Sequence, residues 1–482
     1  MKASLWKALE VALLVEGKLL GSHDWVSTGI SIDTRRTQKG DLFIALKGDN
    51  YDGHNFIKKA FERGAVAVII DNIPENLNSK NNLVLVKNTY KALNYLGIAG
   101  RERGNFKLIG VTGSVGKTTT KDFIQSIIKE SYESYANEGN YNNQIGVPLS
   151  LSQIPKNTEY CIQEMGMSSK GEIKSLSKLT RPDIAVITEI CGAHLGNFKT
   201  INEIAKAKAE IFCGMKKSGT VILPADSKYI KILNHMALKQ GIKTILFFGK
   251  KNYCHARLVS LKSKFNKLEV KANIMGKIYY FKINSHLPHN ALNSIAAILV
   301  SKIIGIKTET ACELISKNKV KCGRGNLKKF SFPSGAEITI VDDSYNASAD
   351  SIISSIRALR NLSLSDPVLI LGDILDLGKS SISEHDRLIP SIQDSKPKLL
   401  ITIGKQMNRI SESVHLNCEK INFSSSNQAS KKISALIEPN DLILVKGSNA
   451  MGLKKIIDNL NFSFQKIEHK NDTSKERTCN VA

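Results

Sequence analysis

The segment LIGVTGSVGKTTT, residues 108–120, combines closely spaced glycines with a lysine and several hydroxyl side chains. The common phosphate-loop pattern, G-x-x-x-x-G-K-[ST], requires a glycine where this chain has Val111, and the glycines stand at 110, 113 and 116 instead. Backbone N–H groups in such a turn can converge on an anion, Lys117 can reach the terminal phosphates of a nucleotide, and Thr118 can bind Mg²⁺. The segment therefore predicts an ATP-binding loop. The alternative is a tight strand-to-helix turn with an incidental lysine.

Three further side chains have types that could bind a metal or take part in catalysis. Glu164 ends the apolar segment CIQE, and a carboxylate at that point is suited to Mg²⁺. His194 comes shortly after the predicted strand DIAVITEI. Lys208 lies on the predicted helix EIAKAKAEIF, either as a solvated lysine or as a partly buried one whose lowered pKa permits covalent chemistry. From the residues alone, we favour the solvated lysine.

The elements that must position these residues follow from the hydrophobic pattern. An apolar run precedes the loop, and Phe123 and Ile127 recur after it at helical spacing. From residue 107 to about 320, apolar strands alternate with helical segments, and a second alternating series begins at ITIVDDS. Such alternation is typical of βαβ units and mostly parallel sheets. We predict three α/β domains at residues 1–88, 89–320 and 321–465, followed by a loose polar tail at 466–482.

The formal net charge of +24 raises the question of a nucleic-acid partner. The excess consists mainly of lysine spread along the chain, and aromatic residues make up only 6%. We therefore expect no nucleic-acid partner and attribute the charge to composition, with some attraction for anionic substrates. A nucleic-acid-dependent ATPase is kept as an alternative.

The chain carries no pattern typical of secretion or membrane insertion. Its first 21 residues place Trp6, Leu9 and Leu13 at helical spacing, which predicts an amphipathic helix and not a secretory signal. No apolar run approaches the roughly 18 residues that span a bilayer. The eight cysteines form no C-x-x-C pair, which argues against a zinc site or a disulfide framework. We expect a cytoplasmic protein.

Together these segments resemble the Mur ligases of peptidoglycan synthesis. The phosphate loop of that family reads G-x-x-G-x-x-G-K-T, which matches the glycine spacing of residues 110–118. The similarity extends from about residue 28 to 460 and includes SIDTRRTQKGDLFIALKGDNYDGHN, GNYNNQIGVPLSL, EMGMSSKGEI, VDDSYNASADS and LVKGSNAM. The resemblance implies a central P-loop ATPase-type sheet with helices on both faces, a C-terminal Rossmann-like α/β domain and a small N-terminal α/β domain that binds UDP.

The resemblance also implies a reaction. The string DDSYNA favours the family member that uses ATP and Mg²⁺ to join D-Ala-D-Ala to UDP-MurNAc-tripeptide through an acyl phosphate. That enzyme is expected to act as a monomer. The alternative within the family is a ligase that acts on a folate or on the preceding Mur substrate.

Site residues are implied by the same match. Thr118 and Glu164 would bind one Mg²⁺, His194 and Lys208 a second, and Lys208 would be carbamylated by CO₂. Lys117, His194 and Lys208 would be catalytic. The nucleotide would be bound by Gly110, Thr112, Gly113, Ser114, Val115, Gly116, Lys117, Thr118, Thr119, Asn143, His289, Asn290, Asn293, Arg324 and Asp342. The substrate would be bound by Asp33, Thr34, Arg35, Asp52, Gly53, His54, Tyr345 and Asn346.

Some positions depart from the family pattern. Leu287 and Pro288 replace the usual glycine and arginine before the adenine side of the site, and Asn449 stands where arginine is common. None of these departures removes a predicted metal ligand or the loop lysine. We therefore expect an active enzyme.

Overall fold

The computed structural model describes residues 4–48, 51–74, 81–192, 195–319, 321–331, 335–360, 362, 366–463 and 465–466. Within these residues the strands form a two-stranded ribbon and three larger sheets of five, nine and seven strands. None of the described helices is both long and apolar enough to span a bilayer.

The N-terminal part is built on the five-stranded sheet. Its elements are β1 (Trp6–Lys7), α1 (Ala8–Leu14), β2 (Lys18–Leu20), β3 (Val26–Ser27), β4 (Gly29–Ser31), β5 (Asp41–Ile44), α2 (Ile57–Glu62), β6 (Ala67–Ile70) and β7 (Leu83–Leu85). The strand order is β2-β7-β6-β5-β4, and all pairs except β2–β7 are parallel. Alternate residues of β5 enter hydrophobic clusters on opposite faces, so this short sheet is buried on both sides.

The central part contains the phosphate loop. Its first elements are α3 (Thr89–Glu102), β8 (Lys107–Thr112), α4 (Lys117–Ile128), β9 (Ser134–Ala136), α5 (Gly146–Ser152), β10 (Tyr160–Glu164), α6 (Glu172–Thr180), β11 (Ile184–Ile187) and α7 (Ile201–Ala209). They are followed by β12 (Thr220–Pro224), α8 (Ile230–Lys239), β13 (Thr244–Gly249), β14 (Ala256–Lys264), β15 (Lys267–Ile274), β16 (Lys277–Ile283), α9 (His289–Ile303) and α10 (Thr308–Lys317). The sheet order is β16-β15-β14-β13-β12-β11-β8-β10-β9, parallel from β9 to β14 and antiparallel from β14 to β16.

The parallel part of the nine-stranded sheet is buried on both faces. Ile109 and Val111 of β8 pack with α4, α9 and α10, whereas Leu108 packs on the opposite face with α5, α6, α7 and α8. β8 lies between β10 and β11 within the parallel part of the sheet, and the carboxyl ends of such strands are where open α/β sheets bind ligands. The phosphate loop begins at this end.

The C-terminal part is built on the seven-stranded sheet. Its elements are β17 (Asn326–Ser331), β18 (Glu337–Asp343), α11 (Ala349–Leu359), β19 (Val368–Gly372), α12 (Ser381–Asp386), α13 (Ile389–Ser395), β20 (Leu399–Ile403), α14 (Lys405–Ser413), β21 (Glu419–Phe423), α15 (Ser426–Lys432), β22 (Leu442–Lys446), α16 (Lys454–Ser463) and β23 (Gln465–Lys466). The order β21-β20-β19-β22-β18-β17-β23 is parallel from β21 to β18.

These sheets confirm the predicted α/β class and the mostly parallel central sheet with helices on both faces. The predicted domain boundaries stay predictions. The boundary at 465/466 falls inside β23, and residues 467–482 of the predicted tail lie outside the described part of the chain.

The prediction of one amphipathic helix over the first 21 residues is wrong in two respects: the helix is shorter, and its buried residues are Ala8 and Val11. The helix α1 begins only at Ala8, and Trp6 lies in β1, where its indole N–H donates to Ser152 O at 2.9 Å. Leu9 and Leu13 are 66% and 82% exposed. The indole hydrogen bond and strand pairing with Ser27 hold Trp6 in β1, because these tertiary contacts outweigh the local helical pattern.

Candidate functional site

The phosphate loop joins β8 to α4 through a turn that requires glycine. Gly116 precedes the first residue of α4 with φ +88°, a left-handed conformation. A Cβ added there would lie 2.7 Å from Asn293 Oδ1. A Cβ added at Gly113 would lie 1.9 Å from Thr188 Oγ1. The turn therefore has no room for a side chain at positions 113 and 116, where the backbone stays close to the end of β11 and to α9.

The substitution Gly116→Ala tests this close approach against a matched control. Gly171 has the same φ of +88°, also before a helix, but nothing lies within 4 Å of an added Cβ. A left-handed alanine costs about 1–2 kcal/mol in either place. At position 116 the collision with Asn293 adds to that cost, so Tm should fall in the order wild type, G171A, G116A. Binding of ADP, measured by calorimetry, should weaken in G116A alone; equal effects of the two variants would contradict this account of the loop.

The first glycine of the loop signature lies outside the turn. Gly110 is inside β8, paired with Gln163 and Ala185. A Cβ there would lie 2.7 Å from Met165 Cε. The structure therefore gives Gly110 a packing role beneath the loop, and the nucleotide contact that the resemblance implied stays a prediction.

The loop lysine is held over the turn. Lys117 Nζ donates to Gly113 O at 2.9 Å and to Ser114 O at 3.1 Å. Burial lowers the pKa of Lys117 from its ordinary value. A half-buried ammonium on a loop of this shape is suited to an anion that replaces the loop carbonyls as its partner.

A buried carboxylate lies beside the loop. Thr118 Oγ1 donates to Glu164 Oε2 at 2.6 Å, and Asn142 Nδ2 donates to the other oxygen, Oε1, at 2.8 Å. Burial opposes ionisation of Glu164, but the ammonium groups of Lys117 and Lys121 outweigh it and hold the pKa of the carboxyl below its ordinary value. An ionised carboxylate next to a hydroxyl is a donor set that Mg²⁺ prefers.

The predicted Lys208 lies in the interior of the protein. It is 2% exposed on α7, whereas Lys206 on the same helix is exposed. Burial, reinforced by the Lys117 ammonium, lowers the pKa of Lys208 well below its ordinary value. The solvated-lysine interpretation that we favoured from the residues alone is therefore wrong.

The remaining predicted metal ligand, His194, lies outside the described residues. Within the described part of the chain, no cluster of three or more His, Cys, Asp or Glu side chains is arranged to hold a metal ion. The predicted metal ligands do not form a cluster of that kind, because two of the four, Thr118 and Lys208, are neither His, Cys, Asp nor Glu.

The C-terminal part contacts the loop through the segment between the two sheets. Arg324 Nη2 donates to Thr118 Oγ1 at 2.9 Å, and its guanidinium lies 4.0 Å over the ring of Tyr345. Lys321 Nζ lies 2.8 Å from Asp122 Oδ1 on α4. The structure therefore brings the predicted Arg324 directly to the loop.

The other predicted residues near this junction have protein partners. Asp342, at the end of β18, lies 3.2 Å from Lys328 Nζ and accepts from Ser344 Oγ at 2.7 Å. Ser354 Oγ lies 3.5 Å from His289 Nδ1, across the junction of α9 and α11. The backbone carbonyl of Asn346 accepts from Lys446 Nζ at 3.1 Å.

The predicted adenine-side asparagines belong to one network on α9. Asn293 Nδ2 donates to Asn290 Oδ1 at 3.3 Å, and Asn290 Nδ2 donates to Ser285 Oγ at 2.8 Å. Both asparagines are buried, and Asn293 borders the turn at Gly116. This network attaches the start of α9 to the loop.

The predicted uridine-side residues form two turns in the N-terminal part. Asp33 pairs with Arg35 at 2.8 Å, and the hydrogen bond from Arg35 lowers the pKa of the Asp33 carboxyl. Asp52 Oδ1 lies 2.7 Å from His54 Nδ1, and Gly53 N donates to Leu46 O at 2.8 Å. The turns follow β4 and β5, which are parallel neighbours, so both leave the same edge of the sheet.

Comparison with known proteins identifies the family. The models described as Mur ligase family, catalytic domain, as Mur ligase middle domain and as Mur ligase, glutamate ligase domain match residues 27–101, 111–301 and 328–449. A UDP-N-acetylmuramoyl-tripeptide–D-alanyl-D-alanine ligase of Rickettsia prowazekii is 32% identical over 94% of this chain and 98% of its own. This chain belongs to the Mur ligase family. A ligase of the same name from Bacillus subtilis is 34% identical to this Mur ligase, over 93% of the chain and 97% of the relative.

Solved structures agree with the fold of this Mur ligase. A crystal structure of MurF from Acinetobacter baumannii superposes with a TM-score of 0.82 at 25% identity and covers 95% of this chain and 99% of its own. The structure of MurF from Thermotoga maritima in complex with ADP superposes with a TM-score of 0.75 at 24% identity. The match covers 90% of this chain and 97% of the Thermotoga maritima chain. The latter likeness shows the fold alone.

Several residues that shape the Mur ligase site were missed by the sequence reasoning. Asn142 contacts Glu164, whereas the predicted Asn143 caps α5 by accepting from Gly146 N at 2.8 Å. Thr188 Oγ1 donates to Val115 O at 2.6 Å and fixes the loop from the end of β11. Thr188 directly follows β11, the parallel neighbour of β8, and this position was a signal in the sequence because the ends of neighbouring parallel strands meet at one edge of the sheet. Asn142 lies between β9 and α5 and carries no such signal.

Proposed function

We propose that this Mur ligase uses ATP to join D-Ala-D-Ala to UDP-MurNAc-tripeptide, and that it does so in the cytoplasm. The observation that carries the proposal is the group of half-buried Lys117 and buried Thr118 and Glu164 after the end of β8, in a chain similar over most of its length to ligases named for this reaction. The product would be UDP-MurNAc-pentapeptide.

The loop fits the triphosphate of ATP. Gly113 and Gly116 carry no side chain, so the backbone at these two positions can approach phosphate oxygens closely, and the N-terminus of α4 adds a favourable dipole. Lys117 would exchange its two loop carbonyls for phosphate oxygens. ATP supplies the γ-phosphoryl group that converts the tripeptide carboxylate into an acyl phosphate, which the dipeptide amine can attack.

Residues of the chain itself would perform the remaining tasks. Lys117 and Arg324 would offset the repulsion between the carboxylate and the phosphates, since both cations lie at the loop. The C-terminal part, in contact with α4 through Lys321 and Asp122, would exclude water from the reactive acyl group. Both turns in the N-terminal part, at Asp33 and Asp52, would bind the uridine nucleotide.

We assign the metal sites by the chemistry of the donors. Thr118 and Glu164 would hold one Mg²⁺, because the carboxyl is ionised and the hydroxyl is already at hydrogen-bonding distance. His194 and carbamylated Lys208 would hold a second. A carbamate needs a neutral amine, and burial, which lowers the pKa of Lys208, favours that neutral form.

The variant Glu164→Gln is predicted to lose most of its activity. The amide keeps the size of the side chain but removes the negative charge, so kcat should fall by about 100-fold and half-saturation should need more Mg²⁺. Glu130→Gln, an exposed residue just after α4, is the matched control. A Mg²⁺ titration of phosphate release measures both effects. An unchanged Mg²⁺ requirement in E164Q would remove Glu164 from the metal site.

The proposed reaction is tested by phosphate release from ATP with the purified chain. Release should require UDP-MurNAc-tripeptide and D-Ala-D-Ala together, and the pentapeptide product should be found by mass spectrometry. Stimulation by a folate or by the preceding Mur substrate would instead assign another ligase of the family. Stimulation by DNA or RNA alone would overturn the proposal.

A further inference from the structure

A basic surface lies at the edge of the nine-stranded sheet, on the antiparallel strands β14, β15 and β16. The inner faces of these strands are buried against α9 and α10, through residues that include Val270 and Phe281. Their outer face is solvated. We define its members by the strand register as the basic sheet face: Arg257, Lys262, Lys264, Lys267, Glu269, Lys271, Tyr280 and Lys282.

The charge of this face is strongly one-sided. Six of its members are basic and one is acidic, which leaves an excess of five positive charges. Glu269 is the only acidic residue in the three strands, and Lys264 and Lys282 lie 3.0 and 3.8 Å from its carboxylate. The side chains of Lys264 and Lys282 are still 68% and 64% exposed. The face is therefore complementary to a dense array of negative charges.

Apolar side chains stand among the basic ones. Tyr280, 71% exposed, lies on the face itself with Lys271 Nζ 5.5 Å from its ring centre. Phe265 and Met275, at the turns that join the three strands, are 50% and 51% exposed, and Ile278 is 39% exposed. Exposed rings and aliphatic chains surrounded by lysines are the composition that favours the boundary between lipid headgroups and acyl chains.

We propose that the basic sheet face docks this protein on a membrane surface rich in anionic phospholipid. The rings of Tyr280 and Phe265 can stack on the bases of a nucleic acid, but the exposed aliphatic side chains of Met275 and Ile278 would gain no partner there. An acyl boundary can bury these side chains while the lysines contact phosphate. The inference goes beyond the proposed ligase activity and does not depend on it.

Flotation with lipid vesicles tests the proposal on the full chain. We expect the protein to float with vesicles of equal parts phosphatidylcholine and phosphatidylglycerol, and to remain in the bottom fraction with vesicles of phosphatidylcholine alone. Raising the salt concentration should release the protein from the mixed vesicles. The triple variant K262Q/K271Q/K282Q should bind the mixed vesicles at least about tenfold more weakly. The matched control K58Q/K59Q/K431Q removes the same charge from exposed positions elsewhere. Absent binding, or equal losses in both triple variants, would overturn the proposal.

Two further readouts separate a membrane from other polyanions. In Y280W the new indole should shift its emission to shorter wavelength on mixed vesicles, against a background of Trp6 and Trp25, which are both buried. An unshifted emission on vesicles that bind the protein would contradict contact through this face. Tighter binding to polyuridylate or polyglutamate than to the vesicles, at one salt concentration, would assign the face to a nucleic acid or to an acidic protein instead.

Discussion

Lys117→Ala should lower kcat for phosphate release by about 10³-fold while the chain stays folded. The ammonium is the cation that the structure places directly over the loop, 2.9 Å from Gly113 O and 3.1 Å from Ser114 O. In the proposed reaction two anions must approach each other there, and the neutral methyl group of alanine cannot offset their repulsion. Stability should change little, because burial already disfavours the charged lysine.

The control for this variant is Lys129→Ala. Lys129 follows the last residue of α4, and its side chain is 56% exposed. Initial rates with saturating substrates and thermal unfolding of both variants separate a catalytic effect from a structural one. Retention of activity within about tenfold of wild type in K117A would contradict a charge-stabilising role.

Lys208→Ala should abolish turnover, with a loss of at least about 10³-fold that added bicarbonate does not restore. In the proposed carbamate, the neutral amine nitrogen bonds to the carbon of CO₂ and releases one proton to solvent, so that a neutral amine becomes an anionic oxygen ligand. Alanine has no nitrogen to modify. Since the amine must be neutral and burial lowers the pKa of Lys208, carbamylation should weaken as the pH falls and Lys208 becomes protonated.

The control for the carbamate is Lys206→Ala, an exposed lysine one half-turn away on α7. It should leave turnover unchanged. The wild-type enzyme should lose activity when dissolved CO₂ is removed and regain it when bicarbonate is added. Near-normal turnover of K208A, or a wild-type rate indifferent to CO₂, would defeat the assignment.

Much of the fold follows from short-range features of the sequence. Alternating apolar strands and amphipathic helices predict βαβ units, because a helix between two parallel strands must cover the sheet. The glycines before Lys117 predict a tight turn that needs a residue without a side chain at certain positions. The structure shows that Gly113 and Gly116 form this turn, whereas Gly110 makes room for Met165 inside the strand.

The sequence by itself determined the types of chemistry available: a loop lysine, a hydroxyl, one carboxylate and a lysine on a helix. Only the tertiary structure decided which of them meet. The burial of Lys208, the contact of Asn142 with Glu164 and the approach of Arg324 to Thr118 join residues that are far apart in the chain. Local periodicity carries no information on such contacts, because they depend on how whole sheets and helices pack, and packing also sets the pKa values that the proposed chemistry needs.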